Sequence, residues 1–131
     1  MAMVAWKDEY SIGVADIDEQ HKELFEIVNR TQELLKNELI VDKYDGIVAI
    51  INELKEYTIF HFKAEEEYMF KNGYKKFFSH KVLHQDFIEK IEKIDFAQLD
   101  NDQNKYLEGI LVFVCEWLLD HILKEDKLIN A

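Results

Sequence analysis

Residues 47–73 read I-V-A-I-I-N-E-L-K-E-Y-T-I-F-H-F-K-A-E-E-E-Y-M-F-K-N-G. Ile47, Ile50, Ile51, Leu54, Tyr57 and Thr58 recur at steps of one to four that keep them on one face of a helix, and the series continues to Met69. Asn72-Gly73 then supplies a stop signal, since glycine enters the left-handed conformation that ends helices without steric cost. The stretch is one long amphipathic helix. Towards the N-terminus, Leu24, Phe25, Val28 and Leu35 mark another over about 18 to 37, with Asp16 and Glu19 at capping-box spacing and an irregular arm, Trp6 to Val14, before it. Towards the C-terminus, Phe77, Leu83, Phe87, Ile91 and Ile94 mark a third. After D-N-D-Q-N, the series Tyr106, Ile110, Phe113, Val114, Trp117 and Leu118 marks a fourth.

There is no proline, only four glycines interrupt the chain, and apolar alternation nowhere persists long enough for a strand. The class is all-α, an antiparallel up-down-up-down four-helix bundle with an irregular N-terminal arm. With 131 residues, 48% of them hydrophobic, the chain fits one domain over residues 1–131 and can bury a real core. A net charge of −11 argues against nucleic acid and anionic membranes as partners, both of which recruit basic patches. No apolar run is long enough to span a bilayer, and M-A-M-V-A-W-K-D-E-Y lacks the regions of a signal peptide, so a cytoplasmic location is expected. Cys115 is the only cysteine, which excludes an intramolecular disulfide and a cysteine-built metal site and suits an interior thiol. A monomer is expected, with E-L-I-V-D-K-Y at 38–44 the one apolar stretch that suggests a contact surface.

All five histidines fall on the apolar stripes. His21 opens the face that Leu24 continues. His61 extends the series through Leu54 and Tyr57, His80 and His84 lie one turn apart on the Phe77 and Phe87 face, and His121 follows Phe113 and Trp117. One core histidine is ordinary. Five, each left without a partner, would cost several kcal/mol at roughly 1–3 kcal/mol per unsatisfied group, and a metal is the economical partner. In an antiparallel bundle their positions, early in the first and third helices and late in the second and fourth, converge on one level. Glu65 lies one turn after His61 on the same inward face, whereas Glu66 and Glu67 fall elsewhere around the helix and read as solvated. If Asp126 joins, five histidines and two carboxylates exceed what one zinc takes, and two ions bridged by carboxylates follow.

The ordered pattern H … H-x-x-x-E … H-x-x-x-H … H-x-x-x-x-D, carried by D-E-Q-H-K-E-L-F, H-F-K-A-E-E-E, H-K-V-L-H and W-L-L-D-H-I-L-K-E-D-K, resembles the bacterial hemerythrins over essentially the whole chain. The resemblance implies two non-haem irons per chain: one held by His80, His84 and His121, the other by His21 and His61, with Glu65, Asp126 and an oxo or hydroxo group bridging them. It leaves one coordination position open on the two-histidine iron, where dioxygen would bind reversibly. It also implies an apolar wall of Leu24, Phe62, Trp117, Leu118, Ile122 and Leu123 that slows water and autoxidation, with Leu123 its most telling member. The expected function is oxygen storage, delivery or scavenging rather than catalysis. A di-iron oxidase or peroxidase-type enzyme is the main alternative, although such bundles use Glu-x-x-His motifs that this sequence lacks. Oxygen or iron sensing and iron storage are the others, and with five residues after Asp126 no output domain is expected.

H-I-L-K-E-D at 121–126 poses a geometric problem for this scheme. Five residues span about 140° beyond a full turn on a regular helix, so His121 and Asp126 cannot share a face. The helix is expected to break, or to take a wide π-type turn, between them.

Overall fold

The computed structural model describes residues 4–37, 39, 42–94 and 103–130. Among the described residues four α-helices form, α1 over Ala15–Lys36, α2 over Tyr44–Lys71, α3 over Phe77–Glu92 and α4 over Gln103–Lys124, with short 3-10 turns at Asp8–Tyr10 and Asp126–Asn130. The fold is the all-α four-helix bundle expected from the stripes. D-N-D-Q-N lies largely outside the described residues, as do residues 38, 40 and 41 of the 38–44 stretch, within which Leu39 is 93% exposed.

Side-chain pairs give the register. His21 meets His61, Arg30 pairs with Glu53 and Leu34 lies over Gly46, so α1 and α2 run antiparallel. Phe70 against Phe77, Glu66 against His84 and Phe62 against Phe87 set the same relation for α2 and α3. His80 with His121 and Phe87 with Phe113 repeat it for α3 and α4, and α4 also packs on α1. The core between them mixes aliphatic and aromatic side chains, with Leu24, Ile27, Ile47, Leu107 and Ile122 fully buried and Phe25, Phe62 and Phe87 buried among them. Buried Thr31 and Thr58 donate their hydroxyls back to the carbonyls of Ile27 and Leu54, which lets them sit in apolar surroundings.

Helix ends fix where side chains emerge. Gly73 adopts φ 64°, its amide reaches the Phe70 carbonyl and the Tyr74 amide reaches that of Met69, a Schellman arrangement that stops α2 at the expected signal. The start of α1 departs from expectation. The helix begins at Ala15, Val14 stands at the cap with no side-chain bond, and Asp16 lies inside the first turn, so the Asp16–Glu19 capping box does not form. Asp18 ties down the arm instead, accepting from the Ser11 hydroxyl at 2.6 Å and the Ile12 amide at 2.9 Å. The arm is otherwise irregular, as expected, and is clamped by Asn29 on the backbone of Val4 and by Trp6 and Tyr10 against Phe25. Cys115 is buried, as expected of a structural thiol.

α4 resolves the spacing problem by breaking. The Glu125 amide still makes an ordinary helical bond to the His121 carbonyl at 2.9 Å, the chain turns at Glu125, and a 3-10 turn begins at Asp126. No π-type turn forms in this segment.

Candidate metal centre

The register brings seven side chains to one end of the bundle. His21, His61, Glu65, His80, His84, His121 and Asp126 are all at most 5% exposed. Their donor atoms form two groups, His80, His84 and His121 in one and His21 and His61 in the other, with Glu65 and Asp126 common to both.

Asp126 joins the groups through different oxygens. Its Oδ2 lies 3.0 Å from His21 Nε2, while its Oδ1 lies 3.0 Å from His80 Nε2 and 2.9 Å from His121 Nε2. Glu65 Oε1 reaches across as well, 2.9 Å from His61 Nε2 and 3.5 Å from His84 Nε2. Only the break at Glu125 makes this possible, because a continued helix would carry Asp126 to the far side of α4.

Two further residues orient the imidazoles. His61 Nδ1 lies 2.7 Å from Gln20 Oε1, and His84 Nδ1 lies 3.0 Å from Glu66 Oε2. Both partners accept, so Nδ1 carries the proton and Nε2 presents a lone pair to the cluster. Glu66 is therefore not the solvated residue its acidic run suggests. Its side chain is 20% exposed and belongs to the site's supporting layer. Neither residue stands on an obvious signal in the sequence; only the α2–α3 register pairs Glu66 with His84.

The electrostatics favour cation donors. Burial pushes the His61 proton affinity well below the ordinary imidazole range, with His21 adding to the effect. Burial also lowers His84 to about 4, although the bond to Glu66 works against it. Both rings are neutral near pH 7, the form that binds metal. Burial, then the neighbouring Asp126, raises Glu65 well above the usual carboxylate range. Burial would raise Asp126 too, but His121, His21 and His80 around it hold it well below.

The residues fit a pair of cations. His21 Nδ1 and Nε2, His80 Nδ1 and Nε2, and both carboxylate oxygens of Glu65 and Asp126 are buried without a hydrogen-bond partner among the described residues. At roughly 1–3 kcal/mol for each unsatisfied group, such a set would consume much of a small domain's stability. Nitrogen and oxygen lone pairs converging at these distances are what a divalent ion satisfies.

The six residues expected to form an apolar wall differ in burial. Leu24, Phe62, Leu118 and Ile122 are buried and Trp117 is half-buried. Phe62 stacks on His84 with ring centroids 3.8 Å apart, and Trp117 stacks on His121 at 4.4 Å. Leu123, at 39% exposed, is the least buried of the six. A cleft of 590 Å³ between α3 and α4, lined by Lys90, Ile94, Tyr106 and Phe113, contains none of the seven residues. Smaller clefts of 410 and 360 Å³ instead reach the edges of His84 and His121.

Residues 12–131 match the hemerythrin HHE cation binding domain. The chain is 51% identical to a bacteriohemerythrin of Clostridium acetobutylicum, over 95% of this chain and 97% of that one. It is 31% identical to a bacteriohemerythrin of Methylococcus capsulatus, over 98% and 95% of the two chains. A solved wild-type hemerythrin superposes with a TM-score of 0.77 at 28% identity, covering 99% of this chain and all of that one. Motif, bundle and buried donor set agree with these likenesses, and the chain belongs to the hemerythrin family, in its bacterial type.

Proposed function

We propose that the chain binds dioxygen reversibly at a non-haem di-iron centre, for storage, delivery or scavenging of oxygen rather than for catalysis. The observation that carries this reading is the division of seven buried side chains into two groups sharing Glu65 and Asp126. On this reading His80, His84 and His121 hold one iron, His21 and His61 hold the other, and both carboxylates bridge, together with an oxo or hydroxo group. The iron pair, when bound, supplies two one-electron donors and one open coordination position for dioxygen.

The chain's own residues supply the rest. Neutral imidazoles oriented through Gln20 and Glu66 offer Nε2 lone pairs without a proton to displace. Leu24, Phe62, Leu118 and Ile122, with Trp117 at the margin, exclude water, protons and outside reductants from the two-carboxylate level, which favours release of unchanged dioxygen over oxidation. A histidine-rich donor set without a Glu-x-x-His motif also sets the site apart from di-iron oxidases.

The test is an oxygenation cycle on the reduced protein. Metal analysis should give two irons per chain, and the colourless diferrous form should colour in air and bleach under vacuum through several cycles. One zinc per chain, or irreversible oxidation on first exposure, would overturn the proposal.

A further inference from the structure

We propose that the turn between α2 and α3 docks the protein on an anionic lipid bilayer. The chain carries 27 acidic residues, yet residues 68–85, Y-M-F-K-N-G-Y-K-K-F-F-S-H-K-V-L-H-Q, contain four lysines and no carboxylate. The strong negative charge of the whole molecule therefore conceals a local patch of the opposite sign.

The same segment exposes aromatic rings. Phe70 is 77% exposed and Phe78 79%, and Val82, one turn after Phe78 on the same face, is 52% exposed. Phe77 joins the two phenylalanines, with ring centroids 6.0 Å from Phe70 and 5.2 Å from Phe78. The Lys81 ammonium stands 6.0 Å over the Phe77 ring, and Lys71, Lys75 and Lys76 are exposed around the turn. An exposed apolar cluster rimmed by cations marks an interaction surface.

Composition and position select the partner. The patch caps the end of a helical hairpin, with the Gly73 turn at its tip and a 440 Å³ cleft beside it against Leu128 and Ile129. Rings interleaved with ammonium groups match a membrane interface, where aromatic side chains enter at the headgroup level and lysines meet phosphates. The whole-chain charge of −11 opposes approach, but screening over about 8 Å at physiological salt lets the lysine tip act before the acidic body is felt. Glu67 and Asp86, both exposed, are the nearest carboxylates in sequence, and Glu125 of the C-terminal turn lies close enough to Tyr74 to add to the rise that burial gives its phenol, so the lysines are flanked by acidic groups on these sides. This docking does not depend on the di-iron reading. If both hold, the end bearing His80 faces the apolar phase in which dioxygen dissolves best.

Sedimentation of the full, metal-loaded chain with vesicles tests the proposal, using phosphatidylcholine alone or with about 30% phosphatidylglycerol. Binding is expected to the anionic vesicles only, and to fall at high salt. Lys75→Ala/Lys76→Ala should weaken it about thirtyfold, from roughly fivefold per lysine. Phe70→Ser/Phe78→Ser should abolish it while helical content and metal content stay unchanged. No binding to anionic vesicles, or equal binding to neutral ones, would overturn the proposal. So would self-association lost in the serine variant without lipid binding, which would assign the patch to a second copy, or capture of an acidic polypeptide in place of lipid.

Discussion

Glu66→Ala removes a side chain outside the seven-residue cluster, yet it should weaken metal binding at the three-histidine group. The His84 Nδ1–H donates to Glu66 Oε2 at 3.0 Å, a bond to a charged acceptor. Such bonds contribute about 1.5–3 kcal/mol when desolvated. Glu66 is 20% exposed and lines the cleft between α2 and α3, so water can replace part of the interaction and the lower half of that range applies. About 1.5–2 kcal/mol corresponds to a ten- to thirtyfold loss of affinity, within the range expected for partners of metal-bound histidine. Gln20 offers His61 a neutral acceptor at 2.7 Å. Its removal should cost about 1 kcal/mol, roughly fivefold. Anaerobic titration against a competing chelator, with Co²⁺ as a spectroscopic stand-in, reads both constants. Exposed Glu67 is the control, since its replacement changes surface charge alone. The reasoning fails if Glu66→Ala and Glu67→Ala shift the affinity equally, or if Glu66→Ala changes it less than twofold.

Asp126→Ala should prevent pairing of the two metal positions, because separate oxygens of one carboxylate face His21 on one side and His80 and His121 on the other; metal analysis should give at most one ion per chain. Ile122→Ala should lower stability by about 2–4 kcal/mol and speed autoxidation, while Leu123→Ala, at a position 39% exposed, should do little of either; chemical unfolding and the decay of the oxygenated spectrum measure the two effects. In the metal-free protein, His84 titrates near 4 instead of 6.5, so between those values the unfolded chain binds more protons and stability is lost as pH falls, by up to about 3 kcal/mol. Glu65, raised by burial, acts in the opposite sense as pH climbs above its ordinary value, so the His84 share is read as the difference from His84→Leu. Parallel pH profiles for the two proteins would contradict it.

The helices and the ligand level were legible in the sequence because both rest on period. Apolar residues at helical spacing give the stripes, and histidines on those stripes are committed to the interior before any packing is known. A distortion after His121 was legible for a different reason: His121 and Asp126 could be reconciled only by a break or a π-type turn, and the structure takes the break. What depended on register was not legible. Glu66 follows Glu65 by one residue and sits in an acidic run, and nothing local distinguishes it from Glu67; only the antiparallel pairing through the Asn72–Gly73 turn sets it against His84. Asp16 is not a cap because the helix begins at Ala15 and takes it into the first turn, while Asp18 holds the arm through Ser11 and Ile12. The odd spacing to Asp126 belongs to the turn and leaves Leu123 within regular α4, where it is more exposed than the other residues expected around the site.

The four helices contribute to a single buried cluster at one end, while at the other end Leu34 packs over Gly46, the Lys43 ammonium donates to the Leu35 carbonyl and Lys90 stands over the Phe113 ring. The bundle thus resembles a stave set clasped by one hoop. Thermal opening should splay it from the unclasped end, with backbone amides near Leu34 and Ile91 exchanging sooner than those near His61 and His80. Filling the cluster with metal would lengthen the protected zone from one side only. Strain from a poorly fitting ion would be felt first as a change in how far the opposite end gapes, well away from any atom that touches it.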